Sequence, residues 1–231
     1  MNYRNEHRTF LTPALLALVF LCNLMLPVTG RATPPSPPPD HGISIAEARG
    51  LPLGTVVTVE GVVSVPSGAF NSSSFDQGFG IQDHTGGIYV SVADNPGLEL
   101  RRQVSVTGEL ADSFGLLVLT NVTDISTHGQ GGPKVKALPV ATGAVGEATE
   151  GKIVRITGTI TQPIFSDPPF GFILVIDDGS GPVNSFVNLS TGIDVSGLSP
   201  GQTIEVTGFS SQFEDHYEVD PRMQADIKVL P

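Results

Sequence analysis

The chain has 231 residues, with 12 Lys and Arg against 23 Asp and Glu, a net charge of −11, one cysteine and no tryptophan. The acidic balance speaks against tight duplex binding, which shows as a basic patch or a basic pI. A single cysteine excludes an intrachain disulfide framework.

In chain order, residues 1–32 read as a signal peptide. Arg4 and Arg8 form a basic start, Ala14 to Leu26 an apolar run, and Gly30-Arg-Ala32 a small-residue cleavage site. The run is shorter than the ~20 residues of a membrane span. Cys22 lies inside it behind Leu21, which is too large for a lipoprotein anchor, so the mature chain is expected to be cysteine-free. After Ala32 the count is 9 basic and 22 acidic residues, a net of 9 − 22 = −13. The expected location is secreted or periplasmic, with no stable membrane insertion after cleavage. Residues 33–42 are a proline-rich, stiff and solvated spacer.

Two modules of similar length follow, expected at 43–128 and 141–231 with a linker at 129–140. Gly54 to Val65, GTVVTVEGVVSV, returns as Gly151 to Thr161, GKIVRITGTIT. Aligning Gly61 with Gly158 puts Val57, Val59 and Val63 on Val154, Ile156 and Ile160, the alternation of a half-buried strand. FGIQDHTGGIYV from Phe79 matches the block from Leu174 to Val183, with Asp83 on Asp178, and Gly108 falls on Gly208. A fifth strand is expected at Leu116 to Ile125 and again roughly at Tyr217 to Val229. Mid-strand glycines are placed where a small closed sheet must bend. The predicted fold is therefore all-β: two tandem five-stranded OB-type Greek-key barrels. Between strands 3 and 4 only a short turn or single helical turn is expected.

Ser44 to Val63, SIAEARGLPLGTVVTVEGVV, followed by Phe79 to Val90, resembles the OB-fold modules of secreted bacterial proteins. Such modules often accompany extracellular nucleases and are labelled nucleic-acid binding. The resemblance implies a nucleic-acid ligand and a nuclease partner, although this chain has no room for a nuclease domain.

OB barrels bind across strands 2 and 3, flanked by the loops between strands 1 and 2 and between strands 4 and 5. Phenylalanines gather in those loops: Phe70, Phe75 and Phe114 in the first copy, Phe165, Phe170 and Phe213 in the second. Exposed rings can stack bases without reading sequence. Phe79 and Phe172, at the start of strand 2, are expected in the core. Arg101, Arg102, Lys152 and Arg155 form a loose basic grouping that could meet phosphates.

Asp83 and Asp178 suit a turn role, since Asp bonds nearby backbone. The run from Glu214 to Asp220 offers acidic groups but no calcium-loop spacing. Gly197-Leu-Ser-Pro-Gly201 matches G-x-S-x-G, yet Pro200 lacks the N–H an oxyanion hole needs. No catalytic motif, cofactor site or metal site is predicted. The sequence points to a secreted non-catalytic binding protein, most simply for single-stranded nucleic acid or oligonucleotides bound weakly. The alternatives are an envelope structural or protein-interaction module, and oligosaccharide binding.

Overall fold

The computed structural model describes residues 42–129 and 131–231. The expected signal peptide and most of the expected proline-rich spacer lie outside the described residues. Among the described residues, no helix is long and apolar enough to cross a membrane.

A single-turn helix, α1 (Ile45–Arg49), opens the first barrel. Ser44 caps it through a capping box with Glu47, and Ile45 and Ala48 face inward. The strands are β1 (Val56–Val65), β2 (Phe79–Gln82), β3 (Gly87–Val90), β4 (Gln103–Ser113) and β5 (Leu116–His128), with a short helix α2 (Asn71–Ser74) between β1 and β2. They close in the order β1-β2-β3-β5-β4, with β3 and β5 parallel and the other neighbours antiparallel. Along β4 every second residue is buried, the period expected of a sheet with one face on a core. That core includes Val57, Val59, Phe79, Ile81, Val106 and Leu119.

The second barrel repeats the ring. After β6 (Leu138–Pro139) come β7 (Ile153–Ile160), β8 (Phe165–Asp167), β9 (Gly171–Asp177), β10 (Val183–Asn188), β11 (Thr203–Phe213), β12 (His216–Asp220) and β13 (Ile227–Val229). β7 pairs with both β9 and β11, β9 with β10, β10 with β12 in parallel, and β12 with β11. The fold is all-β, built of OB-type barrels. Registers agree between the barrels: Gly61 pairs with Val104 and Val57 with Gly108, while Gly158 pairs with Ile204 and Val154 with Gly208. The mid-strand glycines sit where a neighbouring strand crosses closely. A Cβ on Gly108 would lie 2.9 Å from the Thr120 carbonyl oxygen, and one on Gly208 would lie 2.6 Å from that of Asp220.

Two sequence expectations need correction. The last strand of the second copy does not run to Val229: β12 stops at Asp220, where Pro221 removes a backbone donor. The chain then turns, and β13 returns onto β11. Phe172 is only half-buried, and Leu174 takes the core place that Phe79 holds in the first barrel. The expected short turn or single helical turn between strands 3 and 4 is present: a turn at residues 100–101 in the first barrel and a single 3-10 turn, Leu189–Thr191, in the second.

The barrels meet through a third apolar cluster. Val65, Phe70, Tyr89 and Val118 of the first pack against Ile153 and Phe209 of the second, with Val135 and Ala137 of the linker alongside. This contact explains why β3 is buried at every residue and β1 at its last four: their outer faces are covered too. At the seam, Gly87 and Gly151 touch backbone to backbone, each placed so that a Cβ would lie about 2 Å from the other's carbonyl oxygen. Around it, Arg49 donates to the Gly87 carbonyl and to Glu147 and Glu150, at 2.8 Å for the buried Glu150. Arg222 donates across to the Ser64 carbonyl while its other nitrogens hold Asp226.

Gly87→Ala places a methyl 1.9 Å from the Gly151 oxygen and must push the barrels apart. Urea unfolding is expected to show a loss of about 1–3 kcal/mol, the usual range for overpacking. Gly197→Ala, where an added methyl meets nothing within 4 Å, should stay within about 0.5 kcal/mol of wild type.

Candidate ligand cleft between the barrels

Both ligand loops of each barrel point at the other barrel. In the first, the β1–β2 loop carries α2, with Phe70 at its start and Phe75 at its end in the left-handed conformation. The β4–β5 hairpin turns on Phe114 and Gly115, both at positive φ, as a tight two-residue hairpin turn requires. In the second barrel the corresponding loops present Phe170 and Phe213. The rings pair across the seam: Phe75 meets Phe170 edge-on at 5.5 Å, and Phe114 meets Phe213 at 5.7 Å. The hairpin tips also touch, the Glu214 amide donating to the Phe114 carbonyl.

These loops enclose a cleft of about 400 Å³, within the usual size of small-molecule sites. Phe70, Tyr89 and Phe209 form its inner wall, their ring centroids 6.1–6.5 Å apart. Phe75, Phe170, Phe114 and Phe213 form the mouth, and Phe186 and Ile173 a side. Its charged groups are Asp167, Glu218 and Asp220, with His216 beside them; no lysine or arginine lines it.

His216, Glu218 and Asp220 lie at alternate positions of β12 and so share one face. His216 Nε2 stands 3.1 Å from Glu218 Oε1. Burial raises the pKa of the Glu218 carboxyl, opposed by the neighbouring imidazole. Asp220 is raised well above the ordinary aspartate range, by burial first and by the Glu218 charge second. Its Oδ1 has no hydrogen-bond partner among the described residues. Tyr89 is also raised, by burial and then by the charge of Asp76, which accepts from its hydroxyl at 2.9 Å.

The sequence candidates separate under this geometry. Phe75, Phe114 and Phe213 stand at the mouth with 77%, 68% and 46% of their surface exposed, and Phe170 is half-buried beside Phe75. Phe70 is not a surface ring: at 5% exposure it belongs to the shared core, because α2 folds it back onto Tyr89 and Phe209. Phe165 is exposed on β8 but does not line the cleft.

The basic residues stay apart from the rings. Arg101 and Arg102 hold the linker through the carbonyls of Gly132 and Gly129, Lys152 donates to the Ala148 carbonyl, and Arg155 faces Glu205 at 3.7 Å. Sequence reasoning missed Tyr89, Phe186 and Phe209, and noted the acidic run Glu214 to Asp220 without placing its inward carboxylates in a ligand site. The alternating His-x-Glu-x-Asp of β12 was the available signal for the last of these.

Asp83 and Asp178 hold turns. Asp83 accepts from the Ile45, Thr85 and Gly86 amides, and Asp178 from the Thr142 and Ser180 amides. Hydrogen bonds lower the pKa of both. Among the described residues no cluster of three or more His, Cys, Asp or Glu could hold a metal ion.

No protein-family model matches the chain, and neither does any curated protein. Among solved structures, the chain is similar to the p204 HINb domain at 13% identity and TM-score 0.38, over 77% of this chain and 98% of that one. It is similar to a murine DNA-binding protein bound with double-stranded DNA at 12% and 0.40, over 76% and 98%. It is also similar to the OB domain of MM0293 from Methanosarcina mazei at 11% and 0.35, over 41% and 85%. Likenesses this distant carry no argument about ligand or activity.

The two sets of carboxylates predict opposite pH limbs. Glu218, Asp220 and Glu150 have raised values in the folded chain, so the folded state binds more protons than the unfolded one above the ordinary carboxylate range of about 4. Stability therefore falls as pH rises through that window. Asp83 and Asp178 have lowered values, so their stabilisation is present above about 4 and lost as pH falls below it. Melting temperature followed by circular dichroism should rise from neutral pH toward about 5, then fall below about 4. Asp220→Asn should flatten the upper limb and leave the lower one.

Proposed function

We propose that this chain is a non-catalytic binding protein, exported by its N-terminal segment, and that its ligand sits in the cleft between the barrels. One observation carries the reading: the ligand loops of two OB-type barrels converge on a single aromatic cavity instead of pointing away from each other. A concave, largely apolar pocket with a few convergent polar groups is what small-molecule recognition uses. The rings contribute apolar contact area, while the inward carboxylates and serines fix orientation.

An uncharged dye whose fluorescence rises in apolar surroundings, N-phenyl-1-naphthylamine, tests the seat. Wild type is expected to bind one equivalent. The Phe75→Ala, Phe213→Ala double variant should bind at least about tenfold more weakly, two aromatic contacts made on binding being worth together more than about 1.4 kcal/mol. Phe165→Ala, outside the cleft, should bind as wild type does. Equal binding by the double variant would remove the cleft as the seat.

A second reading, weak binding of single-stranded nucleic acid, draws support from the exposed Phe75, Phe114 and Phe213, each able to stack a base. The electrostatics oppose it, since the cleft presents carboxylates and the basic residues lie elsewhere. Fluorescence anisotropy with a labelled oligothymidylate at low salt is expected to show a Kd no tighter than about 10⁻⁵ M, weakening with added salt. Tighter binding would make this the primary reading.

A further inference from the structure

Resting on the cleft as the ligand seat, we infer that the ligand is an organic ammonium ion, its charged nitrogen donating to Asp220 and Glu218 and its apolar body lying against the phenylalanines. Three features on different elements carry this. First, Asp220 keeps only 8% of its surface and Glu218 only 7%, yet both line the cleft. Buried carboxylates are ordinarily paired with a cation or fully hydrogen-bonded. Here no lysine or arginine lines the cavity, His216 reaches Glu218 and the exposed Asp215 but not Asp220, and Asp220 Oδ1 has no partner among the described residues. That oxygen is an unpaired acceptor, itself buried, on a residue that lines the pocket.

Second, the walls are aromatic on several sides. Phe70, Tyr89 and Phe209 back the carboxylates, while Phe75 and Phe170 close the mouth. Ring faces attract cations through their quadrupole, more strongly where water is excluded. Third, Asp167 also lines the cleft and Asp76 stands behind Tyr89, both adding negative potential. An anion would meet three lining carboxylates, and a neutral ring would leave the Asp220 oxygen unsatisfied. A primary or secondary ammonium supplies the missing donor, which a quaternary one lacks.

The test is calorimetric binding of three probes that share one ring and differ in charge: 2-phenylethylammonium, 2-phenylethanol and phenylacetate. Wild type should bind the ammonium at least about tenfold more tightly than the alcohol, as expected for a desolvated charge-assisted hydrogen bond. It should show no heat with phenylacetate. Asp220→Asn should remove the preference for the ammonium over the alcohol. Glu218→Gln serves as a second variant if the first fails to fold, and the wild-type series decides the charge preference by itself. Equal affinities for all three, or a preference for phenylacetate, would overturn the ammonium assignment and leave the cleft intact. Binding of the neutral dye without any of the three probes would do the same. Failure of dye and probes together would remove both readings.

Discussion

The contact of Gly87 with Gly151 sets the distance between the two barrels, and every feature of the cleft depends on that distance. Two main chains meet there with no side chain between them. Only then can Phe70 and Tyr89 of one barrel reach Phe209 and Ile153 of the other and form a dry cluster. Each such side chain, once buried, contributes on the order of 1.5–3 kcal/mol of transfer free energy. The cluster therefore fixes the relative orientation of barrels that are otherwise complete by themselves. Arg49 adds direction rather than much energy. Its partner Glu150 is buried, so desolvation offsets much of the attraction, while the fork of donors fixes one register across the seam.

Orientation has a functional consequence. In an isolated OB barrel the face of strands 2 and 3 with its flanking loops is open to an extended ligand. Here the two faces are turned toward each other. Phe75 meets Phe170, Phe114 meets Phe213, and the Glu214 amide closes on Phe114. A long strand of sugar or nucleotide would have to cross this closure, whereas a compact ligand fits within it. The charge distribution points the same way, because Arg101, Arg102, Lys152 and Arg155 are engaged with the linker, local carbonyls and Glu205.

β12 shows how a strand can serve two masters. Val219 faces the core of the second barrel, while Glu218 and Asp220, on the opposite pleat, face the cleft. Against an aqueous surface that outward pleat would be ordinary solvated acid. Covered by the first barrel, the same two carboxylates become costly to ionise, and their environment sets what the cavity will accept.

The ring of five strands was legible from local pattern, because strand alternation, turn residues and matched glycines are short-range signals that each barrel satisfies alone. The equivalence of Gly61 with Gly158 and of Gly108 with Gly208 reappears as identical strand register. The turn roles of Asp83 and Asp178 were equally local. The partition of the phenylalanines was not. Phe70 and Phe75 sit in the same polar loop, yet one is buried and the other exposed, since the difference depends on a barrel about a hundred residues away in the chain. Likewise Arg101 and Lys152 could be grouped on paper, but the fold places them against different segments. The sequence by itself determined the five-strand ring of each half and the matched glycines at its bends. Only tertiary structure decided which residues face one another across the seam, because docking of two finished barrels rests on shape and desolvation that no periodicity within either half encodes.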